Sequence, residues 1–139
     1  MWNKIRSILL PFGFATMLLP AGVSAADLDG NSNLVCAAVD VIGCTNGPGC
    51  REGSANEFGM PQFMFVDFKK QQIHATDETG LDVVSEIKSS EISEQQIILQ
   101  GIENHRGWSV TIDRANGELT VASLGSDVSF MVFGACTDR

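Results

Sequence analysis

The chain has 139 residues, with 9 Lys and Arg against 17 Asp and Glu, which gives a formal charge of −8. This length supports one domain. The acidic balance argues against nucleic-acid binding, which needs basic side chains that displace counterions from phosphates. With 44% hydrophobic and 19% charged residues, the chain is also too apolar to be intrinsically disordered.

Residues 1–25 have the pattern of a signal peptide: Lys4 and Arg6 precede an apolar stretch, and small residues at 23–25 form a cleavage site. We therefore predict a single β domain at 26–139, exported to the periplasm or secreted, where the environment is oxidising. Loss of Lys4 and Arg6 leaves seven basic residues against 17 acidic ones, a charge of −10. No later segment is long and apolar enough to span a bilayer.

Four cysteines remain after cleavage, Cys36, Cys44, Cys50 and Cys136, and they allow three disulfide pairings. The residues between Cys44 and Cys50 form a Gly/Pro turn, which favours a Cys44–Cys50 bridge and leaves Cys36 for Cys136. The competing pairing joins Cys36 to Cys44 and Cys50 to Cys136. The spacing does not match a zinc site or a redox-active C-x-x-C motif.

In chain order, residues 26–33 are polar and are expected to form a loose start. Residues 34–42 are mostly apolar and favour a strand. Residues 43–61, with five Gly and two Pro, are predicted to form an irregular surface loop closed by a disulfide.

From residue 63 onward, short apolar or alternating segments predict strands joined by tight turns. These strands lie at 63–68, 72–76, 81–87, 95–102, 108–113, 118–124 and 128–136. The turns lie at 69–71, 77–80, 88–94, 103–107, 114–117 and 125–127. At 114–117 we expect a type I turn with Gly117 left-handed, as in a three-residue hairpin loop.

Seven to eight short strands with no amphipathic helical period predict an all-β fold. The class is a small antiparallel meander bridged by disulfides, either an up-and-down barrel or a two-sheet sandwich. Consecutive hairpins favour the barrel, because closure removes exposed strand edges.

Candidate catalytic residues are few. His74 is expected to face solvent from a strand, and His105 lies in a turn. Asp67 is expected to cap the turn that follows it. There is no G-x-S-x-G nucleophile motif, and the acidic run at 27–31 lacks the distant Glu of an EF-hand. We predict no catalytic residue, metal or cofactor.

The Gly-rich disulfide loop is the most distinctive feature, because a constrained loop binds a protein with little further loss of entropy. Its candidate recognition residues are Asn46, Pro48, Arg51 and Glu52. The first hypothesis is therefore an exported, monomeric, non-enzymatic binding or accessory protein that engages a protein partner through surface loops.

Two other functions are retained as alternatives. One is a carrier of a small apolar ligand inside the barrel. Its cavity would be lined by aromatic side chains, namely Phe63, Phe65, Trp108, Phe130 and Phe133. The other, more distant, is a hydrolase that uses His74 or His105.

Overall fold

The computed structural model describes residues 27–76 and 82–139. The described chain is all-β, with nine antiparallel strands and one 3-10 turn at Asn56–Phe58. The strands are β1 (Leu34–Thr45), β2 (Gly49–Gly53), β3 (Phe63–Asp67), β4 (Gln72–Thr76), β5 (Asp82–Ile92), β6 (Gln96–Glu103), β7 (Arg106–Asp113), β8 (Glu118–Leu124) and β9 (Val128–Asp138). No helix in these two ranges is long and apolar enough to cross a membrane.

Eight of the strands close into a barrel. From β3 to β9 each strand pairs with the next, and β9 returns to pair with β1 over eleven residue pairs. The other edge of β1 is shared, because its first half pairs with β3 and its second half with β2. The predicted all-β meander is confirmed, and it is the barrel and not the sandwich.

Alternate residues of the barrel strands face inward and fill its interior. Strand β1 shows the pattern, with Leu34, Cys36 and Ala38 buried and the residues between them more exposed. The buried cluster is Leu28, Leu34, Cys36, Val66, Phe68, Ile87, Ile97, Leu99, Val110, Ile112, Leu119 and Cys136. A smaller cluster of Ala38, Val41, Ala55 and Val132 packs beneath the β1–β2 hairpin.

The N-terminal segment closes one end of the barrel. Leu28 is fully buried, its N–H donates to the Arg114 carbonyl at 3.0 Å, and its own carbonyl accepts from Arg114 Nε at 2.6 Å. Asp29 Oδ1 accepts from the N–H groups of Asn31 and Ser32, both at 2.8 Å. The expectation of a loose start is therefore wrong for residues 27–33.

Both disulfides join directly opposite residues of paired strands. Cys36–Cys136 links β1 to β9 inside the barrel, and Cys44–Cys50 links β1 to β2. The favoured pairing is confirmed. The predicted signal peptide at 1–25 and the predicted turn at 77–80 lie outside the described residues.

Two predicted loops prove to contain strand. The segment 43–61 is an irregular loop only from residue 54 onward, because β1 runs on to Thr45 and β2 spans Gly49–Gly53, and the predicted disulfide closes the hairpin. Likewise 88–94 is not all turn, because β5 continues to Ile92 beyond an irregularity between Ile87 and Ser89. All five residues of β5 beyond Ile87 are exposed, so this polar run resembles a turn in sequence.

Local turn chemistry follows the sequence closely. Gly117 has φ 75°, as expected for the left-handed position, and its N–H donates to the Asp113 carbonyl at 2.9 Å. Asp67 Oδ1 accepts the Lys70 N–H at 2.9 Å, which confirms the predicted turn cap. Asn104 and His105 both have positive φ and form the two-residue turn between β6 and β7.

Candidate functional site

A cleft of about 620 Å³ lies at the β1–β2 end of the barrel. Three parts of the chain form it: the β1–β2 hairpin, the 3-10 turn and the start of β9. Its lining residues are Gly43, Thr45, Pro48, Gly49, Cys50, Arg51, Glu57, Phe58, Asp127, Val128 and Phe130. This volume lies in the usual range for binding sites.

Two aromatic rings form the apolar floor of the cleft. Phe58 packs edge-to-face on Phe130, with ring centroids 5.8 Å apart and an interplanar angle of 81°. Gly43 makes this possible, because a Cβ at that position would lie 2.5 Å from the Phe58 ring and 3.1 Å from that of Phe130. Both rings also pack against the small buried cluster, so the floor is fixed by the core.

Arg51 covers one side of this floor. Its guanidinium lies 3.9 Å from the centre of the Phe58 ring, a cation–π contact, and its Nη2 donates to the Glu57 carbonyl at 3.2 Å. The neighbouring Cys44–Cys50 bridge holds β2 in register with β1. The hairpin therefore presents Arg51 in a set position.

Arg106 braces the opposite side. Its Nη2 donates to Asp127 Oδ1 at 2.8 Å, its Nη1 donates to the Val128 carbonyl at 2.6 Å, and its guanidinium lies 5.6 Å from the centre of the Phe130 ring. The N–H of Val128, the N–H of Asp127 itself and the charge of Arg106 lower the pKa of the Asp127 carboxyl below its ordinary value. Asp127 is therefore a firmly ionised group on the rim.

Glu57 is the second carboxylate of the rim. Its Oε2 accepts the Ser54 N–H at 2.7 Å and the Ser54 hydroxyl at 2.8 Å. These bonds, from the N–H first and then from the hydroxyl, lower the pKa of the Glu57 carboxyl below its ordinary 4.5. Both bonds join Ser54, which precedes the 3-10 turn, to Glu57 within it, so they hold the turn that carries Phe58.

Replacing Ser54 by Ala should raise the pKa of Glu57 part of the way toward 4.5, because one of its two donors is lost. A carboxyl with a lowered folded-state pKa stabilises the fold above its ordinary pKa and loses that contribution as pH falls through the lowered value. Carboxyl ¹³C NMR titration of the wild type and of Ser54→Ala measures the shift. A wild-type Glu57 that titrates at its ordinary pKa would contradict the hydrogen bonds from Ser54.

The predicted recognition residues lie on different sides of the hairpin. Pro48 and Arg51 line the cleft. Asn46 is exposed in the turn between β1 and β2. Glu52 pairs opposite Ile42 and alternates with Arg51, so it faces away from the cleft. Their part in recognition stays a prediction.

Sequence reasoning did not identify Phe58, Glu57 or Asp127, and it assigned Phe130 to a ligand cavity inside the barrel and not to this cleft. Two local signals pointed toward them. Gly43 interrupts a mostly apolar strand, which indicates a close approach by another group. The Ser54-x-x-Glu57 spacing is typical of the start of a helical turn.

The five aromatic residues proposed to line a ligand cavity do not meet in the barrel. Phe63 and Phe133 are 48% and 39% exposed on the outer surface, and Phe65 lies on the outer face beneath the Arg139 guanidinium at 4.8 Å. Trp108 packs against the main core and Phe130 against the small cluster. The alternation of β3 and β9 separates these side chains, and the grouping expected from sequence is wrong.

The two histidines lie away from the cleft lining. His74 pairs opposite Phe65 on the outer face and borders a cavity of about 250 Å³ with Asp67, Lys70 and Arg139. His105 is exposed at the tip of the β6–β7 turn. Across 27–76 and 82–139, no three His, Cys, Asp or Glu side chains are grouped to hold a metal ion.

Comparison with known proteins finds no relative of this chain. No protein-family model, curated protein or solved structure matches the chain.

Proposed function

We propose that this chain is an exported, non-enzymatic binding protein that engages a protein partner through the cleft beside the β1–β2 hairpin. The supporting observation is the rigid floor of Phe58 and Phe130, flanked by Arg51 on one side and by Asp127 on the other. An apolar centre with a charged rim is the usual anatomy of a protein-binding surface.

Rigidity supports a protein partner in particular. Four contacts already order the groups that a partner would touch. They are the Cys44–Cys50 disulfide, the hydrogen bonds from Ser54 to Glu57, the cation–π contact of Arg51 with Phe58 and the hydrogen bond from Arg106 to the Val128 carbonyl. Binding to such a surface loses little conformational entropy, so more of the contact energy appears as affinity.

Location and oligomeric state belong to the same proposal. Two disulfides fit an oxidising compartment, and we place the protein in the periplasm or outside the cell as a monomer. A small apolar ligand is the alternative to a protein partner, and native mass spectrometry of the exported protein separates these two cases. Mass that leaves on denaturation identifies a carried ligand.

The sharpest test is site-specific photocrosslinking in cells that export the protein. A photoreactive amino acid at Pro48, on the cleft, should capture one partner, and the same residue at Lys88, exposed on β5, should not. Arg51→Glu should reduce the capture from position 48 at least fivefold, because it removes the cation above Phe58. An unchanged circular dichroism melt verifies that the variant folds. Equal capture from both positions, or capture unaffected by Arg51→Glu, would reject the cleft as the binding site.

A further inference from the structure

The outer face of β8, β9 and β1 carries an unusually apolar surface, on the outside of the sheet and apart from the cleft. Of the eight large apolar side chains exposed in the described chain, four lie on these three strands, between 38% and 63% exposed. They are Val39, Leu124, Met131 and Phe133. A contiguous apolar surface on a protein is a typical mark of an interaction site.

Strand register makes the surface continuous. Met131 of β9 lies between Ile42 of β1 and Ala122 of β8. Two residues further along β9, Phe133 also faces outward and lies between Asp40 and Thr120. Side chains in such rows are close enough to contact one another across neighbouring strands.

A bulge in β1 shapes the middle of this surface. The register shifts between Ala38 and Asp40, so that Val39 and Asp40 are both exposed while Ala38 and Val41 on either side are buried. Beside the bulge is a depression of about 380 Å³, bordered by Val39, Asp40, Phe133 and Glu118. A depression with an aromatic wall is suited to receive an anchoring side chain.

The charged side chains of the three strands have one sign. Strands β1, β8 and β9 contain three charged residues, Asp40, Glu118 and Asp138, and all three are acidic. Asp40 and Glu118 lie on either side of β9, two strand spacings across the sheet and two residues along it, or about 12 Å apart. A matching surface therefore has an apolar centre and cationic groups around it.

We propose that the outer face of β8, β9 and β1, centred on Phe133, is a docking surface for a basic polypeptide with an apolar contact face. A second copy of this chain does not fit, because it would bring the same carboxylates together in a protein of net charge −8. An anionic lipid surface is disfavoured by the same repulsion. Lys or Arg side chains fit, since their stems pack on Val39 and Phe133 while their heads reach the two carboxylates.

A fluorescein-labelled amphipathic helical peptide of Leu and Lys is the probe, and the same pattern in Leu and Glu is the control. Fluorescence anisotropy with the oxidised full chain should show binding of the Leu/Lys peptide alone. Phe133→Ser and Met131→Ser should each weaken binding about tenfold, and Asp40→Lys about fivefold. Val84→Ser, which removes a comparably exposed apolar side chain from β5, should change it less than twofold.

One further variant and one mapping experiment keep the test specific. Arg51→Glu alters the cleft and should leave peptide binding unchanged, so this surface and the cleft are tested separately. Amide NMR shifts caused by the peptide should concentrate on β1, β8 and β9. The proposal is overturned if Val84→Ser weakens binding as much as Phe133→Ser does, or if Arg51→Glu abolishes it. Self-association of the free protein that Phe133→Ser abolishes would also overturn it, since the occupant would then be a second copy.

Discussion

Replacing both Cys36 and Cys136 by Ala should lower the free energy of unfolding far more than replacing Cys44 and Cys50. The first bridge closes a loop of 100 residues and the second a loop of 6. In the chain-entropy model these loops correspond to about 4.7 and about 2 kcal/mol of stabilisation. Cys36 is also fully buried in the main core. Removing the Cys36–Cys136 bridge should therefore lower the free energy of unfolding more than removing the Cys44–Cys50 bridge does.

Urea unfolding followed by circular dichroism measures both double variants against the oxidised wild type. The Cys44/Cys50 variant is the matched control, because each double variant loses two sulfur atoms and one of the two is from strand β1. Equal losses in the two variants would mean that loop length does not govern the stabilisation.

Trp108→Ala is the second change from which we expect a large effect, a loss of about 3–5 kcal/mol of unfolding free energy. The indole packs against the main core and its Nε1–H donates to Ser85 Oγ at 2.9 Å. Ser85 is the one buried polar residue in the described chain, so loss of the indole leaves its hydroxyl without this partner. The variant loses packing and a buried hydrogen bond together.

Gly101 is part of the same arrangement. It pairs directly opposite Trp108, and a Cβ there would overlap the indole and lie 2.6 Å from the Glu86 carbonyl oxygen. The glycine leaves the space that the large ring occupies.

Three variants separate the contributions at Trp108. Trp108→Phe keeps most of the packing and should cost less than Trp108→Ala. Phe63→Ala removes an exposed aromatic ring and should cost under about 1 kcal/mol. Thermal and urea unfolding provide the comparison, and a Trp108→Ala loss no larger than that of Phe63→Ala would contradict the packing described.

Much of the fold was predictable because its signals are local. The strict alternation of β7 and the left-handed Gly117 defined a hairpin without knowledge of the rest of the chain. Cys44 and Cys50 could be paired because the residues between them form turns readily. Once two bridges are assumed, this choice also determines the pairing of Cys36 with Cys136.

The features that escaped prediction depend on contacts between distant segments. Strand β2 reads Gly-Cys-Arg-Glu-Gly, a composition with little β propensity, and it is a strand because β1 and the disulfide hold it there. The cleft floor joins Phe58 of a short turn to Phe130 of the last strand. Only closure of the barrel brings these two rings together, so Gly43 could indicate a close approach by another group but not which rings make it.

Barrel closure also orders the events of folding. Apart from the short excursion of β2, neighbouring strands follow one another along the chain, except at the pairing of β1 with β9. Hairpins form early because their loops are short, whereas this final pairing joins segments about a hundred residues apart and is slow. The sulfur atoms of Cys36 and Cys136 come into native contact only when the two strands register. Oxidation of this pair therefore marks a completed barrel, while the bridge in the β1–β2 hairpin can form in a chain that is still unfinished.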